Sequence, residues 1–192
     1  MAAAPAAVTL GAPSPTPKTQ EATVPTLRAA AEAFLAQRRI AVAGVSRDPR
    51  QPANLIFRRL RDSGHETFAV NPHADAVEGE PAYASVAQIA GGVDGVVICT
   101  TPAAALDVIA DCAAAGVPRV WLHRGLGPGS LSDEAVAACR AHGIEVIPGG
   151  CPNMFGATAD PGHRVMCALL QLTHKLPREV SDRGVAAAAG AR

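Results

Sequence analysis

The sequence predicts an α/β fold: a parallel sheet with helices packed on both faces. Three observations carry the prediction. Short apolar runs begin near Ile40, Thr67, Asp94, Arg119 and Ile144, with starts separated by 27, 27, 25 and 25 residues. Each run is too short for a helix, and its continuous apolar character is that of a strand covered on both faces. Helical patterns fill most of the gaps, and strands alternating with helices at this spacing wind a parallel sheet through right-handed crossovers.

The elements follow in chain order. Residues 1–25 are rich in Ala, Pro and Thr, with prolines at 5, 13, 15, 17 and 25, and read as a disordered tail. A secretory leader is disfavoured because the basic n-region is missing and Pro5 interrupts the apolar stretch. A helix is expected over Thr26–Arg39, then the first strand, Ile40-Ala41-Val42-Ala43-Gly44-Val45. From Pro52 to Asp62, Ala53, Ile56, Phe57 and Leu60 fall at i, i+3, i+4 and i+7, with Gly64 as a stop. The link between the second and third runs is weaker, with a short helix near Ser85–Ile89. After the third run, Thr101 can cap a helix that Pro102 opens and Gly116 closes, with Leu106, Ile109 and Ala113 facing inward. Ser132 can cap the next, through Ala141 and ended by Gly143. A last helix is expected from Pro161 to about Leu176, with Asp160 as its cap, and residues 179–192 read as a second, loose tail. The whole is a Rossmann-like sheet of about five strands in a domain spanning 26–178.

Composition sets limits on function. The 192 residues carry 17 basic and 17 acidic side chains, which gives no broad field for nucleic acid or an anionic membrane. No run of about 18 apolar residues predicts a membrane span. The five cysteines (Cys99, Cys112, Cys139, Cys151 and Cys167) are odd in number and lack a CxxC pair, so neither a disulfide framework nor a zinc site is expected. They read as small buried hydrophobes in a reducing cytoplasm. Cys151, in a Gly-Gly-Cys-Pro loop, is the one to watch.

In open α/β sheets ligands bind beyond the carboxyl ends of the strands. Past the first strand lie Gly44, Val45, Ser46 and Arg47, then Arg50 and the start of a helix. Glycine admits a close backbone approach, serine a hydroxyl, and arginine a forked donor set for phosphate. An ordinary strand–helix loop explains the same residues. The dinucleotide pattern GxGxxG is absent, and the second strand ends on Asn71-Pro72-His73 without a carboxylate for ribose, which disfavours NAD. Asn71-Pro72 read alone is a turn. Thr100-Thr101-Pro102 forms a polar lip after the third strand, where Thr101 serves either as a helix cap or as a ligand contact.

Taken together, Ala43-Gly44-Val45-Ser46-Arg47-Asp48-Pro49 and Gly64-His65-Glu66-Thr67-Phe68-Ala69-Val70-Asn71-Pro72 resemble the bacterial CoA-binding domain proteins. These are relatives of the N-terminal CoA-binding domain of the succinyl-CoA synthetase alpha subunit. Gly79-Glu80-Pro81-Ala82-Tyr83, Ala115-Gly116-Val117, Trp121 and Cys151-Pro152 extend the likeness over roughly Phe34 to Phe155. The family's Val-Phe-Arg-like stretch is replaced by Ile98-Cys99-Thr100. The resemblance implies coenzyme A or acyl-CoA as ligand, with Gly44, Val45, Ser46 and Arg47 at its phosphates. Asn71, Pro72, Thr100, Thr101 and Pro102 would wall the nucleotide.

The resulting expectation is a cytoplasmic CoA-binding protein without catalysis of its own and without a metal. Two alternatives stand beside it. His73, His123 and Cys151 near the mouth would suit a CoA- or nucleotide-dependent enzyme. Cys151 forming a mixed disulfide with the CoA thiol would suit a redox-responsive module. The phosphohistidine chemistry of the synthetase belongs to a further domain, so His123 does not inherit it.

Overall fold

Each of the five apolar runs becomes a strand, and all five lie parallel in one sheet. The structure, a computed structural model, describes residues 25–125, 127, 129–159, 161–173 and 180. In chain order the elements are α1 (Leu27–Leu35), β1 (Arg39–Ala43), α2 (Pro52–Asp62), β2 (Glu66–Val70), β3 (Ala76–Val77), β4 (Glu80–Tyr83), β5 (Gly95–Ile98), α3 (Pro102–Ala114), β6 (Arg119–Leu122), α4 (Asp133–Ala141), β7 (Glu145–Pro148) and α5 (Pro161–Leu172). The sheet order is β3-β4-β2-β1-β5-β6-β7, and only the β3–β4 pair is antiparallel. β1 is central, with Ile40 level with Thr67 on one side and Gly95 on the other. The chain leaves β1 toward β2, then crosses back to β5, so the topological switch lies between β1 and β5.

Both faces are covered, as the unbroken apolar strands require. Ile40, Val42, Val97, Trp121 and Ile147 pack under α1, α2 and α5. Ala41, Ala43, Val96, Ile98, Val120 and Leu122 alternate to the other face, beneath α3 and α4. Trp121 is fully buried, and its Nε1–H donates to the Gly149 carbonyl at 2.9 Å, so its one polar atom is satisfied. Phe34 meets the Trp121 ring edge-on at 5.5 Å. A buried side chain of this size contributes about 1.5–3 kcal/mol of apolar transfer energy.

The helix signals hold in detail. Thr101 and Ser132 accept from the Ala104 and Ala135 amides, and Pro102 stands in the first turn of α3. Gly64, Gly116 and Gly143 follow their helices with φ between +69° and +92°. The short helix after Ser85 is a single 3-10 turn over Val86–Gln88.

Four expectations shift. The sheet has seven strands rather than about five, because β3 and β4 form a short edge hairpin with no apolar run to announce it. α1 stops at Leu35, since Arg39 already pairs with Glu66 in the sheet. On α3 Ile109 faces inward as expected and Ala113 packs partly buried against the same core, but Leu106 is 38% exposed and Ala105 and Cys112 complete the inward stripe. α5 ends at Leu172. The Asp160 cap lies outside the described residues, as do the two tails apart from Pro25 and Val180. The Val180 amide donates to the Pro25 carbonyl at 2.9 Å.

Candidate functional site

A cleft of about 720 Å³ opens at the carboxyl ends of β1, β2 and β5, beside the switch point. Its floor is Ala43, Gly44 and Val70. One wall is Asn71, Pro72 and His73 after β2, with Ala84 and Ser85 after β4. The other is Thr100 and the exposed side of α3, from Ala104 to Asp111. Ser46 stands at the end where α2 begins.

Gly44 is required here twice over. Its φ of +96° is left-handed, and a Cβ on it would lie 2.7 Å from the Cys99 carbonyl oxygen. A side chain would force β1 and β5 apart where the cleft starts. The next residue, Val45, turns into the core and is fully buried, so only its backbone can face a ligand.

Ser46 is held by a residue that sequence reading passed over. Asn54, in the first turn of α2 and almost fully buried, accepts from the Ser46 amide at 2.9 Å and donates to the Ser46 carbonyl at 2.7 Å. Only its polar character at a buried helical position, beside Ala53 and Ile56, could have marked it. The Asp48 amide donates to Ser46 Oγ, which leaves the serine O–H free to donate elsewhere. The loop keeps few backbone donors for an anion, because Asn54 in α2 takes the Ser46 amide and the Asp48 and Arg50 amides are engaged within the loop.

The loop arginines divide. Arg50 is tied to Asp48 at 3.0 Å, and the Arg50 hydrogen bond is the main cause holding the Asp48 carboxyl below its ordinary range. Arg47 is exposed and makes no hydrogen bond or ion pair among the described residues. Arg58, on α2, is half-buried in an ion pair with Glu78.

Asn71 ties the wall after β2 to the loop after β1. Its Nδ2 donates to the Val45 carbonyl at 2.8 Å, while its Oδ1 accepts from the His73 amide. Of the nine expected binding residues, Gly44, Ser46, Asn71, Pro72 and Thr100 line the cleft. Val45, Arg47, Thr101 and Pro102 adjoin it without lining it; the Thr101 hydroxyl accepts from Ala104 as a cap.

The residues behind the catalytic alternatives are dispersed. His73 lines the cleft, but His123 and Cys151 are buried and do not line it. Burial, aided by the charge of His163, lowers the His123 pKa to about 4. None of the five cysteines, all among the described residues, forms a disulfide, and burial pushes the Cys99 thiol well up. Among the described residues no cluster of His, Cys, Asp or Glu is arranged to hold a metal ion, and no helix is long and apolar enough to cross a membrane.

Known proteins share this arrangement. The chain is 27% identical over 143 residues to the alpha subunit of the ADP-forming acetate–CoA ligase II of Pyrococcus furiosus, which is 74% of this chain but only a quarter of that subunit. It is 28% identical over 114 residues to the protein YneT of Bacillus subtilis, covering 59% of this chain and 82% of YneT. A solved structure from Thermus thermophilus superimposes with a TM-score of 0.54 at 31% identity, over 62% of this chain and 87% of that one. The family model for the CoA binding domain matches residues 38–157, from the start of β1 through the turns after β7. With the Gly44–Ser46 loop, the Asn71-Pro72 turn and well over half its length inside that match, the chain belongs to the CoA-binding domain family.

Proposed function

We propose that this protein is a small cytoplasmic CoA-binding protein, binding coenzyme A or acyl-CoA without catalysis of its own in the cleft at the ends of β1, β2 and β5. The observation that carries the reading is the cleft itself, in a chain of this family. Its volume of about 720 Å³ falls within the range of small-molecule and cofactor sites, and its wall gathers five of the nine expected residues.

The charge pattern orients the ligand. The Ser46 hydroxyl and the Arg47 guanidinium, unpaired among the described residues, are the donors suited to phosphate at one end. Asp107 and Asp111 place carboxylates along α3, which repels phosphate from that wall. The base then meets the apolar surface of Pro72, Ala104 and Val108. Arg50, already paired with Asp48, contributes less than the sequence alone suggests. Five cysteines without a disulfide among them suit a reducing compartment.

A thermal-shift series with CoA, acetyl-CoA, NAD and NADP tests the reading, since a ligand of the native state stabilises it by about 2.7 kcal/mol at a hundred times Kd. CoA and acetyl-CoA are expected to raise the melting temperature, with NAD giving little. Stabilisation by NAD and not by CoA would contradict the proposal.

A further inference from the structure

Glu78 sits in the turn between β3 and β4, yet it reaches the loop that precedes α2. Its φ of +55° is left-handed, a conformation seldom adopted by residues other than glycine. Its side chain is 11% exposed. Oε1 accepts from Asn54 Nδ2 at 2.7 Å and from Arg58 Nη1 at 2.6 Å. Burial raises the Glu78 pKa, but hydrogen bonds from Asn54 and Arg58 and the charges of Arg58 and Arg61 outweigh it and leave it below the usual range. A near-buried carboxylate on a left-handed turn is costly, and such features persist where the surroundings over-determine them.

The contacts form one chain from the sheet edge to the cleft. Glu78 fixes the Asn54 amide group, and Asn54 holds both backbone groups of Ser46. We infer that Glu78 is a positioning residue for the anion-binding loop, acting through Asn54 to hold the Ser46 hydroxyl toward the cleft. The inference rests on the CoA reading for its ligand, though not for its geometry. It also assigns Arg58 a role: its charge is spent on Glu78, so Arg47 is the loop's cation for phosphate.

A double-mutant cycle tests this on the full chain, with CoA as the titrant. Glu78→Gly removes the carboxylate while relieving the left-handed strain, and Asn54→Ala removes the relay. Each is expected to raise the CoA Kd by about tenfold, and the double variant is expected to match Asn54→Ala alone, since coupled residues do not add. Glu78→Gln keeps Oε1 as an acceptor and is expected to stay within about threefold of wild type. In the ligand-free protein, hydrogen exchange at the Ser46 amide is expected to quicken in both single variants. That arm needs no ligand, so a wild type that ignores CoA would remove the binding proposal while the relay is still tested. Additive losses in the cycle, or Ser46 protection unchanged by Glu78→Gly, would overturn the inference.

Discussion

His123 illustrates how a single side chain links burial to pH. It follows β6 directly with 8% of its surface exposed, and its pKa is lowered to about 4 by burial and by the charge of His163. Above pH 6.5 the ring is neutral in both the folded and unfolded chain, so it adds no pH dependence there. Below 6.5 the unfolded chain takes up a proton that the folded one refuses until about pH 4. Stability is therefore present at neutral pH and lost as the pH falls through that window, by roughly 3 kcal/mol in full. Denaturant melts of wild type and His123→Gln between pH 7.5 and 4.5 check this. The wild-type curve should fall more steeply, by about 1.4 kcal/mol per pH unit, and parallel curves would contradict the assignment. This same burial is why a histidine at a strand end, which sequence reading placed near the mouth, contributes packing instead of an exposed imidazole.

At the scale of elements, the start of α3 separates scaffold from site. Thr101 lies beside the cleft, but its hydroxyl accepts from the Ala104 amide at 3.4 Å. Thr101→Ala is therefore expected to lower stability by about 1 kcal/mol, the usual cost of an N-cap, and to leave CoA affinity within about twofold. Denaturation and calorimetry on the one variant measure both, and a large affinity loss at unchanged stability would make Thr101 a ligand contact. The helices were legible because their caps, stops and apolar spacing are local. Pro102, Gly116, Ser132 and Gly143 all stand where the sequence put them. On α3 Ile109 was legible and Leu106 was not, because Ala103, Ala104 and Ala105 offer little contrast to mark which side of the first turn is buried. The β3–β4 hairpin was illegible for another reason. Its strands are two and four residues long, contain Pro81, and are made by pairing rather than by an apolar pattern.

At the scale of the molecule, the cleft arises from connectivity. The chain runs from β1 to β2 on one side and returns to β5 on the other, and the gap between those crossovers is the opening. Gly44 is the hinge of that geometry, since its missing Cβ lets β1 end against the Cys99 carbonyl. Gly44, Ser46, Asn71 and Pro72 were legible because residues just past strand ends must line such an opening. Asn54 and Glu78 were not, because their partners lie eight and twenty-four residues away and only the fold brings them together. The zero net charge gives no reason to expect a broad polyanion surface and says nothing against one phosphate end, where Arg47 is left unpaired among the described residues and Arg50 and Arg58 are not. Calorimetric titration of CoA into the wild type and into Ser46→Ala tests the central claim most directly. One CoA per chain is expected, with affinity reduced about tenfold in the variant, in line with a hydrogen bond to a charged group. No binding to the wild type, or equal affinity in the two proteins, would contradict the account.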